Sequence, residues 1–175
     1  MRKIFLISAL LFVVFSCSKK NERTTESKIE TSKYPLHVGD LELDEKLDDP
    51  AFKVCNKNKI YQYYNFGKGL QYKGEKPMVI ESFSAFPVKE MKGETGWMTI
   101  RFIVNCEGKT GRFRVTGVDE NYQSKNFDAN IVKNLLSLTQ KMDGWIIGMD
   151  DKEATDYYQY LTFKLEDGKL IEIMP

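Results

Sequence analysis

The stretch GWMTIRFIVNCEGKTGRFRV, residues 96–115, gives the clearest indication of the fold. Its first part, residues 97–104, alternates apolar and polar side chains, as a strand with one buried face does. The segment CEGKTG, residues 106–111, is rich in residues that favour turns. Residues 112–116 then alternate again, with two apolar side chains on the same side. The stretch therefore predicts an antiparallel β-hairpin whose apolar face starts the core.

A helix and a second hairpin follow in the C-terminal part of the chain. Residues 127–142 place apolar side chains at helical spacing. Residues 157–165 alternate as a third strand. The dipeptide Asp167-Gly168 favours a tight turn into a returning strand over residues 170–174. This order of elements predicts an α+β domain, in which an antiparallel sheet has a helix packed on one face.

Three local features add to this outline. Residues 59–64 favour a strand through their aromatic and β-branched content. Residues 78–86 have apolar side chains at helical spacing ahead of Pro87, but their type stays open between helix and strand. The helix that starts near residue 127 takes its cap from Asn126 or Asp128.

The N-terminus has the layout of a secretory signal peptide. Arg2 and Lys3 precede an apolar run over residues 4–15, and a small residue follows the run. About a dozen apolar residues are too few to cross a bilayer core of about 30 Å as a helix. A signal peptide is therefore favoured over the alternative, a transmembrane anchor.

The residues that end at Cys17, VFSC, resemble a bacterial lipobox. The resemblance implies that residues 1–16 are removed and that Cys17 carries acyl chains, which hold the chain on a membrane. Ser18 and the lysines after it favour the outer membrane, without indicating on which side the chain faces. The polar composition of residues 17–45 predicts a flexible tether, and residues 46–175 suit a single folded domain.

The net charge of the chain restricts the class of partner, and its cysteine content bears on the compartment in which it folds. The whole chain has a net charge of +1, and the loss of Arg2 and Lys3 with the leader makes it −1. A near-neutral chain with dispersed basic residues does not indicate a nucleic-acid surface. Once Cys17 is acylated, Cys55 and Cys106 remain. In an exported protein this pair predicts a disulfide, with two separate buried thiols as the alternative.

No set of residues in the sequence points to catalysis, a metal ion or a cofactor. His37 is the only histidine and lies in the predicted tether. No Ser-His-Asp triad, Cys-His pair or histidine-rich metal site is therefore predicted. The glycines Gly67, Gly69 and Gly74 do not have the spacing of a phosphate-binding loop. The chain is expected to be a binding protein rather than an enzyme.

The outward faces of the predicted strands carry a candidate binding surface. It consists of Arg101, Arg112, Arg114, Tyr158 and Tyr160. Arginine and tyrosine are favoured at protein interfaces, although an ordinary solvated sheet face is the alternative. A second aromatic group, Tyr61, Tyr63 and Tyr64, favours packing within the sheet over a sugar-binding platform.

Residues 96–165 resemble the TonB C-terminal domain as it occurs in many Bacteroidetes proteins. The residues that carry the resemblance are Gly96, Val104, Asn105, Gly108, Trp145, Gly148 and Phe163. The resemblance implies the fold and a sheet edge that accepts a strand from a partner. In the energy-transducing members the domain follows a transmembrane helix and a proline-rich spacer, whereas this chain has five prolines in all.

These observations lead to one main hypothesis and two alternatives. The main hypothesis is a non-catalytic lipoprotein of the cell envelope that holds an envelope protein, by strand addition to its sheet edge or through its Arg/Tyr face. The first alternative is an envelope enzyme or a carrier of a small ligand such as a glycan, which only the aromatic residues 61–64 support. The second alternative is a TonB-like energy transducer for outer-membrane receptors.

Overall fold

The computed structural model of the chain describes residues 39–67, 69–87 and 89–175. These residues form an α+β fold with a mixed six-stranded sheet and two α-helices. The predicted signal peptide, Cys17, His37 and the first part of the predicted tether lie outside the described residues. No helix within the described ranges is long and apolar enough to cross a membrane.

The sheet is organised around one long central strand. In chain order the elements are β1 (Ile60–Gln62), a 3₁₀ turn (Tyr63–Phe66), α1 (Glu75–Ser82), β2 (Gly96–Val104), β3 (Thr110–Val118), α2 (Ala129–Gln140), β4 (Gly148–Asp150), β5 (Glu153–Glu166) and β6 (Lys169–Met174). The strand order is β1-β5-β2-β3, and β4 and β6 also pair with β5. With 14 residues, β5 is long enough to pair with β4, β1 and β6 in succession along its length.

The prediction of a purely antiparallel sheet is wrong. β1 runs parallel to β5, with Tyr61 beside Tyr157. The strand ends at Gln62, and residues 63–64 of the predicted strand belong to the 3₁₀ turn. Parallel neighbours need a long connection, and here the whole chain from α1 to β4 supplies it. The sequence therefore contains no local turn signal that predicts this pairing.

The predicted hairpins and the predicted helix are confirmed. β2 pairs with β3, and β5 pairs with β6 around Asp167 and Gly168, both in antiparallel fashion. Asp128 is the cap of α2, since its carboxylate accepts the backbone N–H of Asn130 at 2.8 Å. Residues 78–86, whose type the sequence left open, contribute to α1 and the turn that follows it.

One face of the sheet packs against the two helices. Met98, Ile100 and Phe102 of β2 point to this face and are fully buried. Val79 of α1 and Leu135 of α2 pack over them from the helix side. Burying a side chain of this size contributes about 1.5–3 kcal/mol, so the main hydrophobic stabilisation of the fold lies on this face.

The opposite face is crossed by residues 39–58, named the strap. Leu41 is buried there together with Ile103 and Tyr158. The folded unit begins at Gly39, so it includes residues 39–45, which the sequence analysis assigned to the tether. These residues look like a tether because they are acidic, yet one buried leucine and several backbone carbonyls are enough to attach them.

A β-bulge and a glycine shape β3 for contact with the strap. The register of the β2–β3 pair shifts between Arg101 and Ile103, and Arg112 has a positive φ of 55°. The ring of Phe52, from the strap, lies over Gly111. A Cβ on Gly111 would come within 2.3 Å of that ring. Any side chain at this position would push the strap away from the sheet.

Candidate functional site

All five residues of the predicted binding surface lie on the face that the strap crosses. Arg101 donates from Nη1 to the backbone carbonyl of Gly39 at 2.6 Å. Arg112 donates in the same way to the carbonyl of Leu41 at 2.7 Å. The structure therefore brings the predicted side chains together, but the chain's own backbone binds Arg101 and Arg112.

Arg114 forms a two-point ion pair with Asp48 of the strap. Its Nη1 and Nη2 atoms lie 2.7 and 2.8 Å from the two carboxylate oxygens of Asp48. Only 2% of the Asp48 side chain is exposed. The hydrogen bond from Arg114 holds the pKa of Asp48 below its usual value, and the same bond raises the pKa of Arg114. Both groups are therefore charged at neutral pH, in the geometry that makes such pairs strong.

The two predicted tyrosines are also used inside the molecule. Tyr158 is 1% exposed, and its hydroxyl donates to Asp40 at 2.9 Å. Burial, followed by the hydrogen bond with Asp40, raises the pKa of Tyr158 to about 12. The guanidinium of Arg101 lies 4.3 Å from the Tyr158 ring centroid. Tyr160 is half-buried and makes an edge-to-face contact with Tyr63, with ring centroids 5.0 Å apart.

The C-terminal end of the strap is fastened by a disulfide and a buried carboxylate. Cys55 is joined to Cys106, with 6.1 Å between their Cα atoms. Asp156 of β5 is fully buried and accepts the backbone N–H groups of Asn56 and Cys106 at 2.7 and 2.9 Å. Asn105 adds a hydrogen bond from its side chain to the backbone of the strap. Three independent contacts therefore hold this end.

The same residues form the one group of metal-ligating side chains found in the described part of the chain. It consists of Cys55, Cys106 and Asp156. Because the two sulfur atoms are bonded to each other, the group offers a metal ion only the side-chain oxygens of Asp156. His37 lies outside the described residues, and the expectation that the chain is not an enzyme stays a prediction.

A groove of about 580 Å³ lies between α1 and β6. Phe83, Phe86 and Ile173 contribute buried apolar surface to it. Ile80 and Ile171 are 51% and 50% exposed on its two sides. The charged residues at its rim are Lys76, Glu81, Lys169 and Glu172. Exposed apolar residues that converge on a groove are typical of interaction sites.

The strand β6 presents a free edge beside this groove. It pairs with β5, and no backbone hydrogen bond joins residues 170–174 to any other described residue. A register shift in the β5–β6 pair leaves Ile171 as the extra residue of a bulge. Bulges redirect side chains, and here the half-exposed side chain of Ile171 lines the groove.

The tyrosines at 61, 63 and 64 do not share a platform. Tyr61 donates its hydroxyl to Asp150 at 2.7 Å. Tyr63 contacts Tyr64 edge-on, with ring centroids 5.5 Å apart, and also packs against Tyr160. Their rings therefore serve different contacts.

The sequence analysis missed both the strap and the groove. The signal for the strap is charge complementarity, because residues 40–49 hold six acidic residues and the predicted face holds three arginines. The signal for the groove is weaker: Ile80 and Ile171 fall outside the apolar stripe of their own elements. Comparisons of the chain with family models, curated proteins and solved structures find no match. The resemblance to the TonB C-terminal domain accordingly stays a prediction.

Proposed function

We propose that this chain is a non-catalytic, protein-binding lipoprotein of the cell envelope. Cys17 would carry the acyl chains and hold the protein on the outer membrane. The domain Gly39–Pro175 would bind an envelope protein. The basic and apolar N-terminal pattern, the lipobox resemblance and the paired cysteines support this assignment.

The observation that carries the proposal is the free edge of β6 beside an apolar groove. We assign to it an extended segment of the partner that has apolar side chains at alternate positions. Such a segment would bond to the backbone of β6, and every second side chain would enter the groove between Ile80 and Ile171. A lipid chain would fill the groove but would leave the backbone groups of β6 without partners.

Two other surfaces are less suited to the same partner. The Arg/Tyr face is bound by the strap through Gly39, Leu41 and Asp48. The outer edge of β3 is partly bonded already, because the carbonyl of Gly117 accepts the N–H of Lys125 at 2.9 Å. The edge of β6 is the one that combines free backbone groups with an apolar groove in the described part of the chain.

The proposal is tested by site-specific cross-linking in cells that express the full-length chain. A photo-reactive amino acid replaces Ile171, and two control chains carry it at Thr116 on β3 or at Leu47, which is 70% exposed on the strap. We expect one defined protein adduct from position 171 and none from the controls. Ile80→Lys, which places a charge in the groove, should abolish that adduct.

Two results would count against the proposal. The same adduct from Thr116 or Leu47 would show that contact is not specific to the groove. An adduct from position 171 that survives Ile80→Lys would show that the groove does not hold the partner. A chain recovered with residues 1–16 still present and no acyl group would reject the lipoprotein assignment separately.

A further inference from the structure

A second cavity, separate from the α1–β6 groove, lies where the 3₁₀ turn, the start of α1 and residues 146–150 meet. Its volume is about 380 Å³. That size is within the range of sites for small organic molecules. The cavity takes no part in the strand-addition proposal, so its role is argued independently.

Part of the wall of this cavity is apolar and exposed to solvent. Phe66 and Leu70 line one part of it, and Ile146, Ile147 and Met149 line another. The last three side chains are 42%, 40% and 47% exposed. Three consecutive or nearly consecutive apolar residues that surround a cavity and stay in contact with water indicate an apolar ligand.

The charged groups of the cavity indicate which ligand charge it favours. Glu75 and Asp150 line it, and its lining contains no lysine, arginine or histidine among the described residues. One carboxylate oxygen of Asp150 accepts hydrogen bonds from Tyr61 and from the ammonium of Lys59. These bonds keep the pKa of Asp150 below its usual value, with the Lys59 bond as the larger cause.

The protein already places an ammonium group at the edge of this cavity. The Nζ atom of Lys59 lies 5.4 Å from the ring centroid of Tyr61 while it pairs with Asp150. An aromatic ring next to a carboxylate is an arrangement that attracts ammonium ions. Glu75, by contrast, forms no salt bridge with a described residue.

We propose that this cavity binds a small molecule that joins an apolar group to a protonated amine. The apolar group would contact Phe66, Leu70 and Ile147. The ammonium would lie between Glu75 and the Tyr61–Asp150 pair. This assigns the chain a ligand-binding site in addition to its protein-binding groove.

The test uses three probes that share a 2-phenylethyl group, on the full-length chain in detergent with isotope-labelled isoleucine methyl groups. 2-Phenylethylamine carries the ammonium, 2-phenylethanol is neutral, and 3-phenylpropanoate is anionic. We expect saturable shifts of the Ile146 and Ile147 methyl signals with the amine, and about tenfold weaker binding of the other two probes. The methyl signal of Ile171, in the other groove, serves as the internal control, and that of buried Ile100 reports an intact fold.

Variants that remove the carboxylates but keep side chains of similar size test whether the charge of the cavity determines the affinity. In Glu75→Gln/Asp150→Asn the affinity for the amine should fall about tenfold, because a charge-assisted hydrogen bond is lost. Glu81→Gln removes an acid from the same helix but outside the cavity and should leave the affinity unchanged. Equal binding of the alcohol and the amine, an unchanged affinity in the double variant, or no saturable shift at Ile146 and Ile147 would overturn the proposal.

Discussion

The strap-covered face is occupied by the chain's own strap, whereas no described residue fills the α1–β6 groove. The face has the side chains usually found at interfaces, three arginines and two tyrosines, yet the strap binds the arginines with carbonyls and with Asp48, and it binds Tyr158 through Asp40. The groove has ordinary composition, yet Ile80 and Ile171 stand half-exposed beside a free strand edge. Composition thus shows what a surface is able to bind, and only the fold shows whether the surface is free.

The two surfaces are expected to respond differently to substitution. Substitutions in the strap are expected to change the free energy of unfolding, because the contacts there are internal. Substitutions in the groove are expected to change binding with little effect on unfolding. Variants of the two surfaces should therefore differ in the size of their effect on unfolding.

The largest effect is expected from the disulfide that fastens the strap. Cys55→Ser/Cys106→Ser should lower the free energy of unfolding by about 2–5 kcal/mol, because the loop between the cysteines gains freedom in the unfolded chain. Denaturant unfolding of the variant, and of the wild-type chain with reductant, should give matching curves. An unchanged midpoint would mean that the strap end does not depend on the covalent link.

A smaller effect is expected from the ion pair between Asp48 of the strap and Arg114 of β3. Asp48→Asn should cost about 1–3 kcal/mol at about pH 7, because Arg114 loses its charged partner at a nearly buried position. Glu45→Gln, in the same strap but exposed, is the matched control and should be neutral. An equal loss in both variants would indicate a general effect of strap charge.

The pH dependence of that difference follows from the direction of the Asp48 shift. Its pKa is lower in the folded chain than in the unfolded chain, where the value is near 3.8. The contribution of the pair is therefore fully present above the unfolded pKa and is lost as the pH falls through the folded pKa. The unfolding difference between wild type and Asp48→Asn should shrink on acidification below about pH 4. A difference that is constant down to about pH 2 would contradict the ion pair.

The smallest effect on unfolding is expected in the groove. Ile80→Ser/Ile171→Ser should change the free energy of unfolding by about 0.5 kcal/mol or less per substitution, since both side chains are half-exposed. The same variant should lose the partner that the wild-type chain retains in a cross-linked envelope extract. Leu47→Ser, at an exposed leucine of the strap, should keep the partner.

The parts of the fold that the sequence predicts are those with a regular local period. β2 alternates over residues 98–102 and β3 over residues 112–116, and α2 has both a helical stripe and a capping aspartate. The parallel partner of β5 has no such signal, because the direction of β1 depends on the path of the chain and not on its three residues. A local pattern therefore gives the elements but not this part of their arrangement.

The side-chain pattern fails to predict the strap for a different reason. Residues 39–45 contain two leucines, of which Leu41 is buried and Leu43 is 54% exposed. Most of their contacts are made by backbone carbonyls that accept hydrogen bonds from arginines, and backbone acceptors are the same for every residue type. The apolar pattern of the side chains therefore does not separate such a segment from a tether; only the acidic charge opposite three arginines does.

Strand addition to β6 is tested by amide hydrogen exchange, which reports on the backbone groups that the partner would bind. The full-length chain is compared with and without its cross-linked partner, at residues 170–174 of β6 and residues 112–116 of β3. We expect alternate amides of β6 to become protected with the partner bound, while the amides of β3 keep their exchange rates. Protection at β3, or an adduct at the groove without any protection of β6, would contradict it.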